Sequence, residues 1–343
     1  VLTDEVVPDL EVSRPRRWPR RVASVLAWLG VVPPAVVGLL RTVGWETSSL
    51  PIGLIALTPF AAAASLLPLL LAIASRSRAA MAVTTVVAVV FAWWVVPRAV
   101  GGAAGTGGQP LRVLAANLNE SRADPQGVVD LIRRLRVDVV TLEELTPSME
   151  ARLDAEGLAA LLPYRVAQTG NGPTGTGIFS KRPLTERTGL FQPVGHHMPV
   201  AETTTPGGAP VEIVAVHPVA PVPGTVAEWA AGVRSLPPAP ASGVPRVLSG
   251  DFNSTLDHAV LRDLLGTGYL DAAAETGHGL AMTWPAGRRL FPMVAIDHVL
   301  VDRRSSAVSA TIEDIPGSDH HAVFAELRIT GKAMASVSPG AAQ

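Results

Sequence analysis

Cysteine is absent from the 343-residue chain, which excludes a disulfide framework and a zinc-thiolate site and suits a protein working outside the reducing cytosol. No internal repeat of solenoid length is present. A basic surplus is missing where a polyanionic partner would need one: residues 111–331 hold eighteen Lys and Arg against twenty-four Asp and Glu, a net −6. Nucleic-acid binding draws most of its affinity from Lys and Arg neutralising phosphates, so a nucleic-acid partner is disfavoured for that part.

Charge is missing altogether from three long stretches, residues 22–40, 50–74 and 79–96. Each is long enough to cross a hydrocarbon core ~30 Å thick as a helix rising ~1.5 Å per residue. Three such runs in succession, with Trp28, Trp45, Trp93 and Trp94 near their ends, argue against a cleaved leader or a buried core helix. The Pro33-Pro34 pair is expected to kink or interrupt the first span. Arg14, Arg16, Arg17, Arg20 and Arg21 precede the first span and Arg76 and Arg78 separate the second from the third, whereas only Arg41, opposed by Glu46, lies between the first two. Positive charge stays on the cytoplasmic side, so residues 1–21 are expected to form a basic cytoplasmic tail. Everything after the third span is then extracytoplasmic, attached to a cell membrane crossed several times.

Residues 99–110, with GGAAGTGGQP at 101–110, read as a flexible glycine-rich tether and as the domain boundary. The tail at 332–343 has the composition of a disordered segment.

Between these lies a second kind of sequence. Leu111–Leu118 is a short continuous apolar run of the sort a doubly buried strand needs. Asp124-Pro125 then makes a helix start ahead of VVDLIRRL, and VDVVTLEEL follows as another strand. Further strand-like runs occupy 176–180, 211–217, 245–251, 294–301 and 321–329. Strands alternating with helices indicate a mixed α/β domain. Nearly every apolar strand ends in Asn, Asp, Glu or His: Asn117, Glu144, His217, Asp251 with Asn253, Asp297 with His298, and Asp319 with His320. Polar groups at strand ends are where α/β proteins build their sites.

Taken in order, VLAANLN, DVVTLEEL, GTGIFSKRPL, AVHP, Gly250-Asp251-Phe252-Asn253, Ile296-Asp297-His298-Val299-Leu300 and Ser318-Asp319-His320 resemble the motifs of the endonuclease/exonuclease/phosphatase superfamily. That resemblance implies a four-layer α/β sandwich of two mixed β-sheets over residues 111–331, preceded by the anchor of about three helices, and a divalent-metal-dependent phosphoric ester hydrolase. It implies Mg2+ or Mn2+ held by Asn117, Glu144 and Asp319, hard donors suited to such ions. Asp251 is similar to the residue that orients or deprotonates water, and Asn253 to one that holds a phosphate oxygen. His320 resembles the histidine that stabilises the pentacovalent phosphate, with Asp297 fixing its tautomer. His217 looks like the general acid of the deoxyribonuclease and sphingomyelinase branches. Glu143 stands where the family commonly has Gln. His196, His197 and His258 match no motif and are expected on loops or at the surface, and Trp284 is expected as an apolar wall or a lid packed on the core.

The three spans, HPVAP with Trp229, and TWPAG ahead of IDHVLV are similar to the actinobacterial VanJ-type membrane proteins linked to teicoplanin resistance. The substrate this implies is a membrane lipid phosphate such as polyprenyl pyrophosphate. A phospholipase C or sphingomyelinase-like phosphodiesterase, an extracytoplasmic nuclease and a catalytically silent lipid-phosphate sensor are the other readings.

Overall fold

The computed structural model describes residues 18–102, 105, 107–287 and 294–330. Most of the basic N-terminal tail, at 1–17, and the whole tail at 332–343 lie outside the described residues.

Helix α1 (Trp18–Val43) runs without a break through Pro33 and Pro34. Its inward residues Ala27, Val31, Pro34, Val37 and Arg41 recur at helical spacing, so Pro34 sits on the packed face and the expected interruption does not occur. The second apolar stretch is not one helix: α2 (Ser49–Ala56), α3 (Thr58–Ala64) and α4 (Leu66–Ser75) divide it. Pro59 lacks the N–H that would bond the Ile55 carbonyl, and the Thr58 hydroxyl donates to that oxygen instead at 2.7 Å, which lets the chain turn at Leu57. Helix α5 (Arg78–Val100) ends the bundle. Trp18–Val43, Thr58–Ser75 and Arg78–Val100 are long and apolar enough to cross a membrane. They leave Leu29, Leu67, Leu70, Val86 and Trp93 largely exposed, an outer surface suited to hydrocarbon rather than water.

The remainder folds as β1 (Gln109–Asn117), α6 (Pro125–Leu135), β2 (Val139–Glu143), α7 (Pro147–Ala155), α8 (Leu158–Leu161), β3 (Tyr164–Gln168), β4 (Thr176–Ser180), β5 (Thr185–Glu186), β6 (Val200–Thr204), β7 (Pro210–Val216), α9 (Val226–Ser235), β8 (Arg246–Asp251), α10 (Ala259–Gly266), β9 (Tyr269–Asp271), α11 (Ala272–Glu275), β10 (Asp297–Asp302), β11 (Ser306–Asp314) and β12 (His321–Ile329). Two six-stranded mixed sheets result, ordered β11-β12-β1-β2-β4-β3 and β5-β6-β7-β8-β10-β9. The central strands are apolar on both faces because both faces are covered. In β1, Val113 and Ala115 enter the core between the sheets, while Leu114 and Ala116 pack outward with Val128 and Ile132 of α6. Leu248 of β8 likewise faces Trp229 of α9 and Leu261 of α10. Helix, sheet, sheet and helix make the four layers.

Register brings polar strand ends to one rim. Asn117 of β1 lies beside Glu143 of β2 in the first sheet, and Asp251 of β8 beside Asp297 of β10 in the second. Just beneath that rim the hydroxyls of Thr141 and Ser249 meet across the sheets at 2.9 Å.

The anchor is docked on this sandwich. Arg41 and Arg98, from α1 and α5, both reach the buried Asp257 carboxylate at 2.7 Å. Burial alone would raise the Asp257 pKa, but Arg98 and Arg41 outweigh it and hold the carboxyl below its ordinary value. The Glu46 carboxylate accepts from the Ala259 and Val260 amides at the start of α10, a favourable place for negative charge. His258, expected on a loop or at the surface, does lie on the loop before α10 but is buried there. Its Nδ1 accepts from the Thr255 amide at 2.8 Å, which leaves Nε2–H to donate to the Ile52 carbonyl of α2 at 3.0 Å. Between α5 and β1, the Gly102 amide donates to the Glu275 carbonyl at 2.8 Å.

Candidate active site

The eight residues singled out by the motifs converge. Asn117 Nδ2 donates to Glu144 Oε1 at 3.2 Å and to Asp251 Oδ2 at 3.1 Å, joining the ends of the two sheets. Glu144 adopts a left-handed conformation with φ 57° just past β2, and its other oxygen accepts from the Glu120 amide. Asn253 is also left-handed, with φ 47°. Its amide donates to Asp251 Oδ1 at 2.8 Å, and its side chain donates to the Pro218 carbonyl at 3.0 Å. Strain of this sort concentrates at functional sites. Gly250 precedes this turn at φ 146°, and a Cβ there would fall 2.2 Å from the Val216 carbonyl.

His320 sits between two carboxylates. Its Nδ1 contacts Asp297 at 3.0 Å, and Nε2 lies 3.9 Å from Asp251 Oδ2. Burial opposes its charge, but Asp297 and Asp251 raise its pKa to about 10. The reciprocal carboxyl, Asp251, is pushed up to about 7 by burial and by Asp297. His217 faces the same cluster, with Nε2 3.9 Å from Glu144 and 3.8 Å from Asp251. Burial, with His196 and His320 nearby, drives its pKa well below the usual imidazole range. Asp319 completes the group, accepting from Trp284 Nε1 at 3.2 Å; Trp284 thus stands at the site wall, partly exposed.

Two features of the site escaped the sequence reading. His196, expected on a loop or at the surface, is on a loop but lines the cavity, and its Nδ1 lies 3.3 Å from that of His217. Helix α2 also lines it, through Ser49, Ile52, Gly53 and Ala56. No local pattern could have found either, because both depend on contacts between distant segments. By contrast, His298 is structural: it bridges Asp271 at 2.8 Å and the Ser254 carbonyl at 2.9 Å.

The cavity has a volume of about 640 Å³. Its floor is Glu144, Asp251, Asp319 and the histidines, and its sides are Val219, Ala220, Pro221, Val222, Val294 and Ile296. The floor fits a hard divalent cation. Four carboxylates, Glu144, Asp251, Asp297 and Asp319, outnumber the positive charge that His320 can supply; the tight cluster of Asp251, Asp297 and His320, its ligand-type atoms within 4.8 Å of one another, is a different set from the expected Asn117, Glu144 and Asp319. A fifth acid, Glu143, is buried with neither oxygen hydrogen-bonded, and burial pushes its pKa well up. Buried charge of one sign calls for a counter-ion.

Residues 114–320 match the sequence profile of the Endonuclease/Exonuclease/phosphatase family. The chain belongs to this family. Endonuclease/exonuclease/phosphatase enzymes are divalent-metal-dependent phosphoesterases and nucleases, and the chain is accordingly a phosphoric ester hydrolase. Its fold is similar to that of a D. rerio TDP2 humanized by 14 mutations, at 15% identity and TM-score 0.51, with 64% of this chain and 99% of that one covered. Truncated Caenorhabditis elegans TDP2 is similar at 18% identity and TM-score 0.50, covering 64% of this chain and 97% of that one. An endonuclease/exonuclease/phosphatase from Beutenbergia cavernae aligns at 18% identity and TM-score 0.48, covering 66% and 72% of the two chains. No curated protein matches the chain.

Proposed function

We propose that this hydrolase removes a terminal phosphate from a lipid-borne phosphate or pyrophosphate, of the polyprenyl pyrophosphate kind, at the outer face of a cell membrane. One observation carries the reading: a phosphoester site with acids and imidazoles on its floor has apolar sides, one of them a helix of the membrane anchor. A substrate with a phosphate at one end and hydrocarbon at the other matches both surfaces.

Asn117, Glu144 and Asp319 would hold Mg2+ or Mn2+, which when bound neutralises phosphate oxygens and lowers the cost of charge on the phosphoryl group. The chain's own side chains do the rest. Asp251 accepts the proton of a water whose oxygen attacks phosphorus in line, and its raised pKa suits a base working near neutrality. The bond from phosphorus to the leaving oxygen breaks as the new one forms, releasing inorganic phosphate and the dephosphorylated lipid. His320, held by Asp297 and kept protonated, donates from Nε2 to a phosphoryl oxygen. Asn253 donates to another. His217 is neutral in its buried position, and a phosphate dianion beside it would raise its pKa towards that of an acid for the leaving oxygen. A phosphodiesterase of the phospholipase C kind is the second reading, favoured by His217 inside the cavity. A contribution to glycopeptide resistance would follow from the first reading alone.

The test offers the full chain, in detergent with Mg2+, polyprenyl pyrophosphate, sphingomyelin and plasmid DNA in parallel. Phosphate release from the first is expected, lost on chelation, with kcat lowered about 10²–10⁴-fold in Asp251→Ala and His320→Ala. Release of phosphocholine from sphingomyelin alone would install the second reading, and DNA nicking abolished by the same substitutions would replace both.

A further inference from the structure

Helix α2 is built differently from the spans around it. The chain turns at Leu57, so the helix stands apart from the crossing that begins at Thr58. Ser49, Ile52, Gly53 and Ala56 fall at i, i+3, i+4 and i+7, which puts them on one face, and that face lines the catalytic cavity. Ile52 is buried in the hydrolase core among Trp229, Phe252 and Val260, and its carbonyl takes the His258 hydrogen bond at 3.0 Å. The helix is therefore fixed against the sandwich by packing and by a directed bond.

A Cβ added at Gly53 would meet nothing within 4 Å and would stand in the open part of the cavity, since Gly53 is exposed where the neighbouring Ile52 is buried. Val219, Ala220, Pro221 and Val222 line the same cavity, with Val219 in one apolar cluster with Ile52. A phosphoryl group on the acidic floor needs only a part of the 640 Å³, and an apolar slot continuous with the floor is left over. Helix α2 directly precedes the apolar helix that begins at Thr58, where hydrocarbon would adjoin a lipid's phosphate in a bilayer.

We infer that the cavity face of α2 forms a subsite for the apolar chain adjoining the substrate's phosphate, with Gly53 setting the width of that subsite. The inference rests on the lipid-phosphate reading and narrows it: part of the membrane anchor selects the substrate. A side chain at Gly53 narrows the slot without touching the floor, so it penalises a long hydrocarbon chain more than a short one.

The experiment compares kcat/KM of the full chain in detergent for a long polyprenyl pyrophosphate and for isopentenyl pyrophosphate, which carries the same phosphates on one isoprene unit. In Gly53→Leu the ratio of long to short is expected to fall about tenfold or more, the scale at which a few methylenes discriminate in an apolar pocket. Gly53→Ala, whose Cβ has room, is expected to fold and to give a smaller fall in the same direction. Leu50→Phe, on an exposed flank of the same helix, is the control and keeps the wild-type ratio. Equal loss on both substrates in both Gly53 variants, or an unchanged ratio in an active Gly53→Leu, overturns the subsite while leaving the lipid-phosphate reading intact. A wild type that releases phosphate from neither substrate sinks that reading itself, and the subsite with it.

Discussion

Glu143 and Glu144 are adjacent acids with opposite situations. Glu143 is enclosed between the sheets with neither oxygen hydrogen-bonded, and burial together with Asp297 and Asp251 pushes its pKa well up, against its charged form. Replacing it by neutral Gln of the same shape is expected to leave phosphate release intact and the melting temperature equal or higher. Glu144, whose carboxylate faces the cavity, is different: Glu144→Gln is expected to raise the Mg2+ concentration needed for half-maximal activity. Equal metal dependence in the two variants would contradict the assignment. The acids were legible in the sequence because each stands at one end of an apolar run read as a buried strand, Glu144 and Asp251 at the far end of theirs and Asp297 and Asp319 at the near end, so position in the chain implied position at a rim. His196 and His258 were not legible. One is a loop residue brought to His217 across twenty-one positions, the other pairs with a carbonyl more than two hundred residues away, and neither leaves a local signature.

Among elements, four of the five strands that were missed, β3, β5, β9 and β11, lie at sheet edges: Thr185–Glu186 has both residues exposed, and Ser306–Asp314 is made of small and polar residues. Edge strands lack the two-sided burial that writes an apolar run into the sequence. The fifth, Val200–Thr204, lies inside its sheet between β5 and β7 but carries Glu202, Thr203 and Thr204 in place of an apolar run. The division of the second apolar stretch into α2, α3 and α4 was missed although Pro59 stood in the sequence as its signal, because the stretch was read by its hydrophobic length alone. What joins these helices to the sandwich makes a prediction. Asp257→Asn leaves Arg41 and Arg98 facing a neutral group in a buried place and is expected to cost about 3–5 kcal/mol at pH 7, read from thermal unfolding in detergent. The folded Asp257 carboxyl lies below its ordinary value, and the unfolded one lies near ~3.9. Its stabilisation is therefore complete above about pH 4 and disappears as pH falls through the lower, folded value. The gap between wild type and variant should stay constant from pH 8 to about pH 5 and close only in stronger acid; a gap that closes near neutrality would mean the arginines are not its cause.

At the scale of the whole molecule, the charge distribution around the spans is the ground for the proposed outward orientation of the hydrolase. A cysteine placed at exposed Ser242 is expected to react with a membrane-impermeant thiol reagent in intact cells, and one at Ser77, in the basic turn before α5, is expected to be protected; the reverse pattern would invert the topology. The glycine-rich composition at 101–110 suggested slack between anchor and enzyme, yet Gly102 is bonded to Glu275 and two spans grip one aspartate. An enzyme mounted this way has no reach. With α1 and α5 spanning a bilayer as proposed, the catalytic floor would stand at one height above the hydrocarbon, and a thicker or thinner membrane would lift or lower the whole site relative to the phosphates around it. Lipid composition would then act on turnover without any ligand binding at all.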